Sequence, residues 1–137
     1  MDLKREKEKM LAGELYDSNC NGELIKEIYA AKDKCFEYNN IRPSNIEERK
    51  NFMKTILGKT KNNFLIEQPF LCDYGYNIEI GEKFYANHNL VILDANKVEF
   101  GDNVFIAPNC GFYTAGHPLD YETRNKGLEY AKPIKVG

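Results

Sequence analysis

Apolar residues in the second half of the chain recur every six positions. Six of them form two runs separated by a slip of two residues: Ile80, Ala86, Ile92, Phe100, Ile106 and Phe112. Neither an α-helix, with its period of 3.6, nor a single strand, with its period of two, repeats in this way. One inward residue per hexad is typical of a parallel β-helix, because three flat faces close a triangular coil and the inward side chains stack from coil to coil. The pattern therefore predicts a β-helix from about residue 61 onwards.

An insertion interrupts the predicted coils. Three hexads make a coil of ~18 residues, and the equivalent residues Phe100 and Val136 lie about two coils apart. One coil and an inserted loop of similar size, Ala115 to Pro133, account for this interval. The proline, glycine and charged residues of that loop do not continue the hexad period. A long loop on a rigid scaffold is commonly a functional site.

The pattern before residue 60 predicts helices instead. Leu24, Ile28, Ala31 and Cys35 recur at steps of three and four, which gives one apolar stripe on a charged segment. Residues 4–11 predict a shorter helix that ends before a glycine at position 13, and residues 14–17 predict a connecting loop.

A further helix is marked by its ends. Ser44 and Glu47 have the spacing of a capping box, and Gly58 stands where a C-terminal cap is expected. These helices are too few and too polar to form a core of their own. We therefore expect a helical N-terminal cap over residues 1–60 that covers one open end of a β-helix over residues 61–137.

Composition excludes several classes of partner. The chain has 137 residues and a formal net charge of −2, which does not favour nucleic acid. Its apolar stretches are far shorter than the ~20 residues of a membrane span, and its charged start does not resemble a signal peptide. We expect a cytoplasmic protein. The cysteines show no CxxC spacing, which predicts reduced thiols rather than a disulfide framework: Cys20, Cys35, Cys72 and Cys110.

Only two histidines are available for acid–base chemistry. His117 stands between Gly116 and Pro118 at the start of the insertion, where an imidazole is able to take a proton from a hydroxyl near neutral pH. A structural, hydrogen-bonded histidine is the alternative. His88 lies between inward positions, so we expect it to point outward or toward a neighbouring subunit.

Other polar residues have two readings each. Asn87 and Asn89 are either corner and ladder residues of the coil or amide donors for a developing oxyanion. Asp17, Asp73 and Asp94 are either ordinary loop acids or acceptors of hydrogen bonds from sugar hydroxyls. Spacing alone does not decide between these readings.

Three segments closely resemble one known family. Residues 7–16 (KEKMLAGELY), 72–78 (CDYGYNI) and 114–120 (TAGHPLD) are similar to the maltose and galactoside O-acetyltransferases, which are hexapeptide-repeat acyltransferases. The resemblance covers essentially the whole chain. It implies a left-handed parallel β-helix, a homotrimer with active sites between adjacent subunits, and direct acetyl transfer from acetyl-CoA to a sugar hydroxyl.

The resemblance also implies roles for individual residues. His117 matches the general base, and Asn87 matches the residue that stabilises the transition state, where it also contacts the acetyl-CoA co-substrate. The matched acceptor-pocket positions are Asp17, Asp73, Tyr85 and Glu129, with Asp94 as a further candidate. Asp73 and Glu129 resemble the maltose branch. This mechanism needs no metal and no covalent intermediate.

Two other functions remain open at this point. A non-catalytic β-helix that binds or assembles a partner is one, and it is favoured by the expectation that family members continue for about fifty residues past Gly137, which would truncate the third coil. A trimeric zinc carbonic anhydrase on the same coil is the other. It needs three ligands per site, and the chain has only two histidines.

Overall fold

A computed structural model describes residues 5–18 and 22–137. The helices within these ranges are Glu6–Leu11 (α1), Gly22–Asn39 (α2), Ile46–Ile56 (α3) and Tyr121–Asn125 (α4). The strands are Tyr16–Asp17 (β1), Phe64–Ile66 (β2), Phe70–Cys72 (β3), Ile78–Glu79 (β4), Phe84–Ala86 (β5), Leu90–Leu93 (β6), Val98–Phe100 (β7), Phe105–Ile106 (β8), Gly111–Tyr113 (β9), Ala115–Gly116 (β10), Leu128–Ala131 (β11) and Ile134–Val136 (β12).

Nine of these strands form three parallel sheets, which are the faces of a coil. The first face is β2-β5-β8, the second is β3-β6-β9 and the third is β4-β7-β12. The expected parallel β-helix, preceded by helices, is therefore confirmed. Each face is covered on its inner side by the side chains of the other two, so the interior of the coil is the core.

The coil is longer than three hexads. Phe64 pairs with Phe84 and Ile78 pairs with Val98, which gives 20 residues per coil. The expected ~18 is wrong because the two-residue slip belongs to the coil itself. Val98 pairs next with Ile134, 36 positions later. This interval is 16 residues longer than one coil, and the insertion accounts for the difference.

The inward positions follow the hexad pattern. Ile80, Ala86, Ile92, Phe100 and Ile106 are buried in one hydrophobic cluster, and Phe112 is half-buried against it. Sharp corners separate the faces. Four corner residues have left-handed backbone, with φ between 57° and 66°: Lys83, Asn89, Asn103 and Asn109. Asn89 Nδ2 donates to Asn109 Oδ1 at 2.9 Å, so Asn89 is a ladder residue.

Helices α2 and α3 pack against the first coil. The apolar stripe of α2 is confirmed, since Leu24, Ala31 and Cys35 are buried. Ala31 and Cys35 share one hydrophobic cluster with Met53 of α3 and with coil residues. The division of the chain at residue 60 stays a prediction, because this shared core does not test it.

The predicted caps of α3 are each wrong by one residue. The N-cap is Asn45 rather than Ser44, and its Nδ2 donates to Glu48 Oε2 at 3.1 Å, so no capping box forms. Gly58 lies beyond the C-cap. A Cβ at Gly58 would lie 2.0 Å from the carbonyl oxygen of Tyr76, so this glycine permits a close backbone approach rather than a helix cap.

The N-terminal segment pairs with the insertion. Helix α1 ends before Gly13, as expected, and Gly13 has a φ of +79°. Position 4, where the helix was expected to begin, lies outside the described residues. The loop expected at residues 14–17 is wrong, because Tyr16 and Asp17 form β1, antiparallel to β11. The sequence does not predict β1 because its pairing partners in β11 lie more than a hundred residues away. A strand of two residues is also too short to show an alternation of polar and apolar positions. The resulting sheet has the order β1-β11-β10.

Within the described ranges, Cys35, Cys72 and Cys110 are free thiols, as expected, while Cys20 lies outside them. None of the helices that the structure describes has the length and apolar content to cross a membrane.

Candidate functional site

A cleft of about 450 Å³ opens at the corner between the second and third faces. Strands β1 and β11, helix α2 and the turn after β3 line this cleft. Its polar lining residues are Tyr16, Ser18, Tyr29, Lys32, Asp73, Tyr74 and Glu129. Two of the expected acceptor residues, Asp73 and Glu129, are therefore brought together although 56 positions separate them.

Glu129 is held by the strand pairing between β1 and β11. Its Oε2 accepts a hydrogen bond from the hydroxyl of Tyr16 at 3.2 Å, and its Oε1 accepts one from the hydroxyl of Ser18 at 3.1 Å. Burial raises the pKa of Tyr16, and the nearby charge of Glu129 raises it further, so the phenol stays a neutral donor. Each carboxylate oxygen keeps further capacity to accept a hydrogen bond.

Asp73 faces Glu129 across the cleft. Burial raises the pKa of Asp73, the charge of Glu129 raises it further, and Lys32 opposes the shift. Two carboxylates and several hydroxyls around one cleft suit a ligand that presents many hydroxyl donors. Tyr29, 60% exposed, adds an aromatic surface at the rim.

Asp17 lies in the same strand as the cleft residues but does not line the cleft. Its neighbours Tyr16 and Ser18 do, and side chains of a strand alternate between opposite sides. The backbone N–H of Asp17 donates to Glu6 Oε2 at 2.6 Å, which ties β1 to α1.

Asp94 lies in the interior and has no exposed surface. Its Oδ1 accepts hydrogen bonds from the backbone N–H groups of Asp73 and Tyr74, at 3.2 and 2.8 Å, and its Oδ2 accepts one from Asn77 at 3.3 Å. Burial raises the pKa of Asp94 to about 7. The expectation that Asp94 contacts a sugar hydroxyl does not fit this environment, because its carboxylate is buried and already accepts hydrogen bonds from the turn after β3.

Tyr85 and Asn87 lie elsewhere, on the first face and at its edge. The ring of Tyr85 is 5.8 Å from that of Phe105, which is 79% exposed. Asn87 follows β5, and its Oδ1 accepts a hydrogen bond from the backbone N–H of His88 at 2.8 Å. This contact uses the amide oxygen of Asn87, whereas its Nδ2 group is a hydrogen-bond donor.

His117 is exposed and follows β10 at the start of the insertion. The insertion leaves the coil at the corner between the second and third faces, whereas Asn87 lies at the corner between the first and second faces. One chain therefore places the two expected catalytic residues at different corners.

His88 is exposed, as expected, and its Nδ1 lies 2.6 Å from the carbonyl oxygen of Gln68. Its Nε2 lies 3.8 Å from Glu67, which also pairs with the buried Arg49 at 3.0 Å. These contacts hold the imidazole of His88 at the surface of the coil.

The three outer faces differ in polarity. The outward row of the third face is charged and reads Lys59, Glu79, Glu99, Lys135. Exposed apolar side chains occur on the other two faces, with Phe105 on the first and with Leu71 and Tyr113 on the second. Two apolar faces and one charged face are suited to a ring in which each subunit uses two different surfaces.

Several cleft residues were not predicted. Ser18 and Lys32 belong to no motif, and Tyr16 ends the family segment 7–16 without an assigned role. These residues reach the cleft because β1 pairs with β11 and α2 packs alongside. For the parts of the chain that the structure describes, no group of three metal-ligating side chains is close enough to hold a metal ion.

Comparison with known proteins gives a consistent result. The profile of the Maltose acetyltransferase hexapeptide capping motif matches residues 9–61. A Saccharomyces cerevisiae protein named "Putative acetyltransferase YJL218W" is 54% identical over 130 residues, which are 95% of this chain and 66% of that protein. This chain thus spans just under two thirds of that relative.

Two solved structures are similar throughout the fold. A maltose O-acetyltransferase from Clostridium difficile 630 superposes with a TM-score of 0.93 at 42% identity, over 96% of this chain and 70% of that one. A galactoside acetyltransferase in complex with coenzyme A superposes with a TM-score of 0.88 at 38% identity, over 95% of this chain and 64% of that one. These matches confirm that the β-helix is of the left-handed, hexapeptide-repeat type.

Proposed function

Since this chain belongs to the maltose and galactoside O-acetyltransferase family of hexapeptide-repeat proteins, we propose that it transfers an acetyl group from acetyl-CoA to a hydroxyl of a sugar. The observation that carries the proposal is the cleft in which Asp73 and Glu129 face each other beneath an exposed tyrosine. The solved galactoside acetyltransferase that contains coenzyme A supports the choice of donor.

The cleft suits the acceptor. Carboxylates accept hydrogen bonds from sugar hydroxyls, and the charge of Glu129 raises the pKa of the buried Asp73, so donors that bind between them relieve an unfavourable contact. Aromatic rings pack against the apolar faces of sugars. In this proposal Tyr85, on the first face, and Asp17, beside the cleft, belong to the acceptor side of the site.

The chemistry needs one base and one oxyanion donor. His117 takes the proton of the acceptor hydroxyl as its oxygen attacks the thioester carbon. The Nδ2 group of Asn87 donates to the oxyanion that forms on the thioester oxygen. When the carbon–sulfur bond breaks, the imidazolium of His117 returns the proton to the departing thiolate. Atoms and charge balance without a metal or a covalent enzyme intermediate.

This mechanism requires a homotrimer. Asn87 and His117 lie at different corners of one coil, so a neighbouring subunit has to supply one of them. A three-fold ring uses two different surfaces of each subunit, and the apolar first and second faces are suited to this contact.

The direct test is acetyl transfer from acetyl-CoA to maltose, glucose and a galactoside. We expect transfer by the protein and a loss of at least about a hundredfold in kcat with His117→Ala. Lys126→Ala, an exposed substitution in the same insertion, is the matched control and should retain activity. Absence of transfer by folded, trimeric protein would contradict the proposal and favour a non-catalytic binding module.

A further inference from the structure

A buried turn at residues 94–96, named here the hub turn, contacts the two segments that carry the cleft carboxylates and the helix that leads into β1. It follows β6 in the second coil, and all three of its residues are buried. Two of these residues are polar, which is costly inside a coil unless their groups are fully hydrogen-bonded. Their partners show what this polar turn does.

The first residue of the hub turn holds the turn after β3. Asp94 accepts hydrogen bonds from the backbone N–H groups of Asp73, Tyr74 and Asn77. The side chain of Asn77 returns a bond from its Nδ2 to the carbonyl oxygen of Asp94 at 2.8 Å. Asp94 therefore fixes the backbone from which the Asp73 carboxylate enters the cleft.

The last residue of the hub turn holds the other two segments. Asn96 Nδ2 lies 3.4 and 3.3 Å from the carbonyl oxygens of Met10 and Leu11, at the end of α1, and donates to that of Ala131 in β11 at 3.1 Å. Helix α1 leads into β1, which carries Tyr16, and β11 carries Glu129. The backbone N–H of Asn96 is itself held by Thr114 Oγ1 at 3.1 Å, at the start of the insertion.

From this convergence we infer that Asp94 and Asn96 are positioning residues for the acceptor cleft, which set the separation of Asp73 and Glu129 without contacting the acceptor. The inference rests on the proposed function, because it assigns the cleft to the acceptor. It gives a role to Asp94 that differs from direct sugar contact. It also gives a role to Asn96, which no motif marks.

The alternative is that the hub turn only stabilises the coil. A purely structural role predicts that substitutions change stability, kcat and both KM values together. A positioning role predicts a selective effect on the acceptor. A displacement of the carboxylates by a fraction of an ångström weakens acceptor binding, while the donor and the reacting groups keep their geometry.

The test uses steady-state kinetics on Asp94→Asn and Asn96→Ala in the full protein. We expect the KM for maltose to rise about tenfold, with kcat and the KM for acetyl-CoA within about twofold of wild type. Asn103→Ala is the matched control, because Asn103 occupies a corner away from the cleft with φ of +59°. This control should lose stability and leave both KM values unchanged.

Backbone hydrogen exchange provides a second readout that does not depend on activity. Asn96→Ala should accelerate exchange in residues 10–17 and 128–131, and Asp94→Asn should do so in residues 73–77, with the rest of the coil unaffected. Equal changes in all kinetic constants, or exchange that rises throughout the coil, would overturn the inference. A wild-type protein without acetyl transfer would instead refute the proposed function, and the exchange pattern would still decide whether the hub turn holds the three segments.

Discussion

Replacing Asp94 with asparagine should remove a pH dependence of stability. Burial raises the pKa of Asp94 from 3.8 to about 7 in the folded protein. The unfolded chain loses this proton near the ordinary value of 3.8, so between about pH 4 and pH 7 the folded state binds more protons than the unfolded state. Stability is then highest below this window and falls as the pH rises through it.

The magnitude follows from the size of the shift. One pKa unit corresponds to about 1.4 kcal/mol, so a difference of about three units lowers the free energy of unfolding by about 4 kcal/mol across the window. Asp73, whose pKa is also raised, contributes in the same direction. The difference between wild type and Asp94→Asn isolates the contribution of Asp94.

Urea unfolding followed by circular dichroism between pH 4 and pH 8, at one protein concentration, measures this difference. Asp102→Asn is the matched control. Asp102 also accepts a backbone hydrogen bond from the preceding coil, from Glu82 at 2.7 Å, but it is exposed. The control should keep the wild-type dependence on pH. An Asp94→Asn protein that still loses several kcal/mol between pH 4 and pH 7 would refute the reasoning.

Two further predictions concern packing. Gly58→Ala should destabilise the protein by several kcal/mol, since its Cβ would lie 2.0 Å from the carbonyl oxygen of Tyr76. Gly22→Ala is the control and should be neutral or slightly stabilising, because the space around its Cβ is open. Equal unfolding midpoints for the two variants would contradict this. Ile92→Ala should cost about 2–5 kcal/mol because Ile92 is 1% exposed and points into the coil, and the half-buried, outward Val91→Ala should cost clearly less. Thermal unfolding of the pair checks the inward assignment, which a larger loss from Val91→Ala would exclude.

The sequence predicts the coil well because its signal is periodic. Ile80, Ala86 and Ile92 repeat along the chain, so each residue supports the position of the others, and all three are buried as expected. The coil length was harder to predict. A slip of two residues looks the same in a sequence whether it interrupts a coil of 18 or belongs to one of 20, and only the strand register distinguishes them.

The candidate site was predictable only in part. Asp73 and Glu129 were predicted from the family resemblance. The pairing of β1 with β11, which places Glu129 in the cleft with Asp73, is not predicted by any local sequence pattern. Asp94 illustrates the opposite case. A loop acid that faces a ligand and one that accepts backbone hydrogen bonds in the interior have the same local sequence, so only burial separates the two roles.

Asn96 was missed because its function lies in three carbonyl partners from distant parts of the chain, at Met10, Leu11 and Ala131. An asparagine at a turn is common, and nothing local marks this one as buried. The prediction of where α3 begins was wrong for a simpler reason. Ser44 and Asn45 are both good N-caps, and the choice between neighbours depends on how the helix packs rather than on its sequence.

The central claim is that Asn87 of one subunit and His117 of a neighbour act in the same site. Mixing the Asn87→Ala and His117→Ala variants tests it most directly. Each variant alone should be nearly inactive, and after the two are unfolded and refolded together in equal amounts about one site in four should be complete, which restores about a quarter of wild-type acetyl transfer to maltose. Mixed trimers that stay as inactive as either variant would contradict the shared site.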